Sequence, residues 1–238
     1  MLNWLFPIAC AGCGLEGYPL CRHCMDTMEL GGEGGFCFLQ GQKLASTGGA
    51  SAGDELDGLA SVFIYIKNGT LAGLLHLYKY ELIEAYGMAL AEAWRTRIPA
   101  PLLATIEHQI DLITWIPLHH KKFQRRGFNQ SRTLAMAIPL TIPKISLLVR
   151  RKNSKAQMTL TRTERFLNVE NAFELNPAIQ SPVPPASPLA NDTVLSGKTI
   201  LLIDDVITTG ATLHAAAKVL KGAGAARVYG LVLARQEE

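Results

Sequence analysis

One stretch limits this chain more than any other: Thr199-Ile200-Leu201-Leu202-Ile203-Asp204-Asp205-Val206-Ile207-Thr208-Thr209-Gly210-Ala211-Thr212. The four apolar residues Ile200 to Ile203 do not alternate with polar ones, which predicts a strand buried on both faces of a parallel sheet. Asp204 and Asp205 stand where that strand should end, and a Thr/Gly turn follows. From Ala211 the spacing becomes helical. Leu213, Ala216, Ala217 and Leu220 share one face, and Gly222 and Gly224 mark the end. Strand, acidic pair, small-residue loop and helix form the layout of a phosphate site at the carboxyl end of a parallel strand.

The chemistry of that layout follows residue by residue. A helix N-terminus presents backbone N–H groups and partial positive charge to an anion. Gly210 and Ala211 let the backbone close on it, and the hydroxyls of Thr208, Thr209 and Thr212 add donors. Two carboxylates repel a phosphate in direct contact, so Asp204 and Asp205 suit sugar hydroxyls or a magnesium ion. No lysine follows the glycine as in a Walker A loop, and the spaced glycines of a dinucleotide fingerprint are missing. A phosphate and a ribose held side by side point to a ribose-phosphate ligand.

A chain of 238 residues accommodates one α/β domain and a small accessory module. Hydrophobic content of 48% with 18% charged residues describes a globular protein. No apolar run reaches the ~18 residues of a spanning helix. The apolar segment from Leu2 to Cys10 lacks a basic start and is interrupted by Pro7, so it does not read as a signal peptide. A cytoplasmic location is the default expectation. The net charge of +3 conceals an asymmetry: between His119 and Arg165 lie 12 of the 23 Lys+Arg, against Glu164 alone of the 20 Asp+Glu. Lys121, Lys122, Arg125, Arg126 and Arg151 belong to this segment, whose natural partner is a polyanion.

At the N-terminus, Cys10-Ala11-Gly12-Cys13 and Cys21-Arg22-His23-Cys24 place two C-x-x-C pairs close together, the spacing of a tetrahedral four-cysteine zinc site. Four thiolates leave no open position, so such a metal is structural. Disulfides are the alternative, disfavoured in a reducing compartment. His23 reads as a bystander and Cys37 stands alone. These features divide the chain into a zinc module (1–30), a flexible Gly-rich linker (31–57) and an α/β domain (58–238).

Within the domain, residues 59–66 and 111–116 predict strands, and Leu71 to Tyr80 and Leu82 to about Arg95 predict helices, the second ended by Pro99 and Pro101. Met88 and Trp94 read as core. A basic loop runs from Pro117 to Arg126, with His119 and His120 solvated, and Gln130 to Ile138 predicts another helix. Ile145 to Val149 and Arg227 to Ala234 complete the strands. Their alternation with helices predicts a doubly wound parallel sheet. The stretch from Arg150 to Arg165 reads as a mobile flap, and residues 182–188 as a Pro-rich insertion.

The stretch from Leu202 to Thr212 resembles the PRPP-binding signature of type I phosphoribosyltransferases. The resemblance implies an acidic pair on the ribose hydroxyls and a Thr/Gly loop on the 5′-phosphate. Together with the four cysteines, Arg126-Gly127-Phe128-Asn129-Gln130, and Gln157, Leu160, Arg162, Glu164, Arg165, Asn168, Val169, Ala172 and Phe173, the chain resembles the competence-associated ComF family. That likeness implies Pro117 and Leu118 in a pyrophosphate loop and a catalytic flap over residues 157–165 with Arg162 as its principal cation. Asp204, Asp205 and Arg162 would carry catalysis, PRPP would come with Mg²⁺, and zinc would be structural. It further implies a role in DNA uptake or recombination, with phosphoribosyl transfer from PRPP as one reading. The other is a non-catalytic accessory factor that binds single-stranded DNA, works with recombination or competence proteins, and uses the PRPP site as a sensor. The acceptor and the oligomeric state are not written in these motifs.

Overall fold

The computed structural model describes residues 8–31, 55–152, 171–179 and 195–236. In chain order the elements are α1 (Arg22–Asp26), β1 (Gly58–Tyr65), α2 (Thr70–His76), a π-helical turn (Leu77–Glu81), α3 (Glu84–Arg97), α4 (Ala100–Gln109) and β2 (Leu112–Trp115). There follow α5 (His120–Arg126), α6 (Gln130–Ala137), β3 (Leu148–Arg150), β4 (Phe173–Leu175), β5 (Thr199–Ile207), α7 (Ala211–Gly222) and β6 (Arg227–Gln236).

Four strands form a parallel sheet in the order β1-β6-β5-β2. The unbroken apolar run of β5 places that strand inside, between β6 and β2, where both of its faces are covered. Leu201 and Ile203 pack into the layer of α2, α3, α4 and α6. Ile200 and Leu202 pack against α7 and the β3–β4 pair. Helices therefore cover both faces, as a doubly wound sheet requires.

Four local readings differ from the sequence expectation. β5 runs through the aspartates to Ile207, because β6 is long enough to pair Asp204 with Val232 and Ile207 with Arg235. Ladder bonds use the backbone alone, so acidic side chains do not end them. The segment around Ile145 to Val149 does not join the central sheet as a strand: β3 pairs antiparallel with β4. Pro99 and Pro101 do not merely end α3; they open α4, where the first turn tolerates proline. The basic stretch after Pro117 is not all loop, since residues 120–126 form α5, which stops at Gly127 with φ 80°.

Burial corrects two side chains. Met88 is 68% exposed, on the opposite side of α3 from Tyr86, Leu90 and Trp94, while Trp94 is fully buried. His119 is buried and not solvated, because its Nδ1 accepts the Lys121 backbone N–H and caps α5.

The N-terminal module docks on the free edge of β1. Leu30 bridges Phe63, the Gly31 N–H donates to the Val62 carbonyl at 2.9 Å, and the Ile64 N–H donates to the Glu29 carbonyl at 2.9 Å. Tyr86 Oη donates to the Ala9 carbonyl at 2.9 Å, and Arg97 pairs with Asp26. An open strand edge is thereby covered. At the far end of the Gly-rich stretch, Asp57 is held by the backbone of Val228 and by Lys221. Residues 32–54, with Cys37, and the Pro-rich insertion lie outside the described residues.

One contact orders the helices beside the sheet. Tyr78 packs against Gly87 of α3, where an added Cβ would stand 2.3 Å from the nearest ring atom. Gly87→Ala is therefore expected to destabilise the fold by about 1–3 kcal/mol, read as a lower urea midpoint. A midpoint equal to that of the unmodified chain would contradict this packing.

Candidate functional site

The carboxyl end of the sheet gathers the groups that the sequence singles out. Asp204 and Asp205 sit near the carboxyl end of β5, both more than 90% buried. α6 supplies their donors. Ser131 Oγ donates to Asp204 Oδ1 at 2.9 Å, and Gln130 Nε2 donates to Asp205 Oδ2 at 3.0 Å. Asn129 makes this possible by capping α6. Its Oδ1 accepts the N–H groups of Ser131 and Arg132, and its Nδ2 donates to the Ile116 carbonyl, tying the helix start to the end of β2. Lys79, from the π-helical turn, forms an ion pair with Asp205.

The two carboxyls are driven apart. Burial, then the neighbouring Asp205 charge, pushes Asp204 up to about 7. Burial, the largest single influence, would raise Asp205 as well, but the Lys79 ammonium together with the Val206 N–H and Gln130 holds that group below the usual aspartate value. Near neutral pH the pair thus tends to keep one proton and one negative charge. Such a pair can donate to a hydroxyl as well as accept from one.

Immediately beyond, Val206 and the loop from Ile207 to Thr212 line a small hollow beside Asp204. Gly210, with φ 75°, is the N-cap of α7, and a Cβ there would meet the His214 ring at 3.3 Å. Both the left-handed backbone and the tight contact favour glycine. Thr208, Thr209, Gly210, Ala211 and Thr212 therefore stand at the start of a helix of more than three turns, at the edge where β5 ends.

On the neighbouring strand end, the Ile116 N–H donates to the Ile203 carbonyl at 2.9 Å, which brings Pro117 and Leu118 level with the acidic pair. They border a cavity of about 630 Å³ whose cationic side chains are Arg132, Arg150 and Arg151. Arg132 lies over the Trp115 ring at 5.9 Å. Arg150 is within electrostatic reach of Asp204, and Arg126 of Asp205. Arg126 Nη1 also donates to Gln130 Oε1 at 2.7 Å.

The basic segment is accordingly not one surface. Arg126 and Arg150 turn toward the acidic pair, and Lys144 donates to the carbonyls of Ile138 and Leu140. Arg151 forms an exposed ion pair with Glu174. Lys121 and Arg125 remain on the outer side of α5, with Lys122 half-buried. Arg162 and the rest of the flap lie outside the described residues. Lys79, Gln130, Ser131 and Arg150 were not assigned roles from the sequence; the one local signal was Asn129, a capping residue directly before a helical stretch.

The four N-terminal cysteines converge independently of this site. The Sγ atoms of Cys10, Cys13, Cys21 and Cys24 all lie within 4.8 Å of one another, and all four are free thiols. A tetrahedral zinc with bonds of ~2.3 Å needs sulfurs about 3.8 Å apart, so the set fits such an ion. Cys13 and Cys21 are already at 3.7 Å. Gly12 lets the first knuckle pass Cys24, since a Cβ would lie 2.7 Å from its Sγ. Burial first, then its fellow thiols, pushes Cys24 up to about 12 when no metal is present. A bound cation would remove that penalty by holding the thiolate. His23 is not part of the cluster among the described residues.

Comparison with known proteins agrees with this geometry. A family profile for the phosphoribosyl transferase domain matches residues 130–238, from the start of α6 through β6. The chain is 28% identical to competence protein F of Haemophilus influenzae, over 95% of this chain and 90% of the relative. It is 27% identical to the DNA utilization protein YhgH of Escherichia coli K12 over 69% of this chain and 67% of the relative. It is 37% identical to competence protein ComFC of Bacillus subtilis over 50% of this chain and 42% of the relative.

The split titration of the acidic pair has a measurable consequence. A carboxyl raised in the folded state contributes stability fully below its unfolded value, and that contribution is lost as pH rises toward its folded value. Asp204 thus makes folding less favourable between about 4 and about 7. Asp204→Asn lacks this loss. The variant is expected to gain roughly 1–3 kcal/mol on the parent chain across that window, read by urea melts at several pH values. Parallel stability profiles would contradict the raised carboxyl.

Proposed function

The chain belongs to the ComF family of proteins with a phosphoribosyltransferase domain, and on that premise we propose that it binds PRPP at the carboxyl end of β5. The observation that carries this reading is the continuity of residues 204–212: a buried, half-protonated acidic pair, then a glycine-started helix. Asp204 and Asp205 hold the ribose hydroxyls as donor and acceptor. The backbone and hydroxyls from Thr208 to Thr212 take the 5′-phosphate. Pyrophosphate lies toward Pro117 and Leu118, where Arg132 and Arg150 line the neighbouring cavity; Arg162, which the family resemblance implies as a further cation, lies outside the described residues.

The reaction class that suits this arrangement is displacement at C1 of the ribose, with pyrophosphate leaving and an acceptor taking its place. Positive charge grows on the sugar and negative charge on the departing group, so fixed cations beside the pyrophosphate lower the barrier. Magnesium binds hard oxygen ligands. The acidic pair offers it little by itself, because Asp205 carries Lys79 and Asp204 holds its proton to near neutral pH. The ion is therefore assigned to the pyrophosphate oxygens. Zinc is assigned to Cys10, Cys13, Cys21 and Cys24 as a structural ion. The relatives are named for competence and DNA utilisation, and in line with that we assign this chain a role in DNA uptake or recombination, in the cytoplasm. No helix among the described residues is long and apolar enough to cross a membrane.

A second reading has its own support. Phe123 is 47% exposed on α5 between Lys121, Lys122 and Arg125, and an exposed ring among cations suits stacked single-stranded DNA. In that case the protein is an accessory factor, working with competence or recombination proteins, whose PRPP site senses and does not turn over.

Calorimetric titration tests the PRPP site common to both readings, and a single-strand titration tests the second. PRPP with Mg²⁺ should bind the intact protein and bind Asp204→Asn/Asp205→Asn at least about 30-fold more weakly, some 2 kcal/mol; equal affinity would sink the site assignment. Salt-sensitive single-strand binding that survives those changes but is lost with Lys121→Ala/Phe123→Ala/Arg125→Ala would favour the second reading. Metal analysis of the purified protein should find about one zinc per chain, and a folded protein without metal would refute the zinc assignment.

A further inference from the structure

We propose that Lys79 gates the acidic pair: its ammonium sits on Asp205 in the free protein and must pass to an anionic group of the ligand when sugar hydroxyls take the carboxylate. This inference rests on the PRPP reading above and goes on to state how the site selects its ligand.

The backbone delivers Lys79 with little freedom. α2 runs directly into the π-helical turn Leu77–Glu81, whose wider turn redirects side chains relative to the preceding helix. Tyr78, the adjacent residue, is clamped on three sides. Its ring stacks on Phe128 at 4.1 Å and 9°, its hydroxyl is 2.9 Å from Thr133 Oγ1, and it lies against Gly87. The turn closes on Leu82 in the left-handed region, with φ 59°. A leucine in that conformation costs on the order of 1–2 kcal/mol, and the turn ends there. Lys79 is therefore presented to β5 from a rigid support.

At its other end the lysine meets a carboxylate whose acceptor positions are already in use. Asp205 Oδ2 receives both Lys79 and Gln130 Nε2, and Oδ1 receives the Val206 N–H at 2.6 Å. The side chains of Lys79 and Asp205 are 19% and 11% exposed, so water does little to replace either partner. Breaking such a pair without a substitute leaves a desolvated ammonium, which is strongly unfavourable. Arg126 faces the same carboxylate through Gln130, so the vacated lysine is repelled by a second cation on that side.

Selectivity follows from these contacts. Ribose 5-phosphate offers hydroxyls to Asp205 and nothing anionic at C1, so it displaces the lysine without giving it a new partner. PRPP displaces it equally but brings the pyrophosphate, which receives the ammonium. The cost of opening is common to both ligands, and its recovery belongs to PRPP alone. Lys79 is on this view a specificity-determining residue for a 1-pyrophosphorylated ribose 5-phosphate.

The test is a set of calorimetric titrations of PRPP with Mg²⁺ and of ribose 5-phosphate, on the full chain and on Lys79→Met. The gate predicts that ribose 5-phosphate binds the variant more tightly, that PRPP binds it less tightly, and that the preference for PRPP shrinks at least about tenfold. Lys79→Arg, which keeps a cation, should retain most of the preference. If both ligands change by one common factor, Lys79 does not discriminate and the gate is wrong. If PRPP weakens while ribose 5-phosphate does not tighten, the lysine touches pyrophosphate but closes nothing, which also overturns it. A parent chain that binds neither ligand would instead remove the PRPP reading itself, and the gate with it. Should Lys79→Met fail to show a cooperative melt, Lys79→Gln carries the same comparison.

Discussion

The structure turns on a carboxylate pair carried into the interior by a strand that does not stop for it. Ladder pairing of β5 with β6 continues past Asp204, so two acids that would prefer water are held at more than 90% burial. Burial of a carboxylate is tolerable when it is protonated or matched, and this protein does one of each. Asp204 keeps its proton with Ser131 beside it, and Asp205 keeps its charge with Lys79 and Gln130. Much of the upper edge of the domain can be understood as what those two solutions demand. Asn129 caps α6 so that residues 130 and 131 point at β5. The π-helical turn, Gly87 and Phe128 together hold Lys79 in place.

The same arrangement explains why the basic segment does not behave as one patch. Arg126 and Arg150 are drawn inward by the acidic pair, Lys144 is tied to backbone carbonyls, and Arg151 is matched by Glu174. What is left for a polyanion among the described residues is chiefly the outer side of α5. The interior cations favour a compact anion at the sheet edge; the outer ones favour a chain of phosphates.

The strand-loop-helix from Thr199 to Gly222 was legible in sequence because every determinant is local: an unbroken apolar run, adjacent acids, a glycine where the backbone turns left-handed, and an apolar face at helical spacing. The four cysteines were legible for the same reason. Partners separated by long stretches of chain were not. Lys79 and Asp205 are 126 positions apart, and no periodicity around Lys79 distinguishes it from a lysine at a solvated helix end. Pro99 and Pro101 carried two meanings, stop and start, and only the packing of Leu102 and Ile106 decides for α4. Met88 was misread because hydrophobicity alone does not give the angle at which α3 meets the sheet. β3 was apolar enough for the central sheet, yet its partner β4 lies beyond a long intervening segment that pattern reading treated as flap.

The most direct measurement is a crystal structure of the full chain grown with PRPP and Mg²⁺. The 5′-phosphate is expected on the backbone of residues 208–212, the ribose hydroxyls on Asp204 and Asp205, and the Lys79 ammonium moved from Asp205 to the pyrophosphate. PRPP bound elsewhere, with the Lys79–Asp205 pair intact, would contradict both the ligand site and the role given to the buried acids.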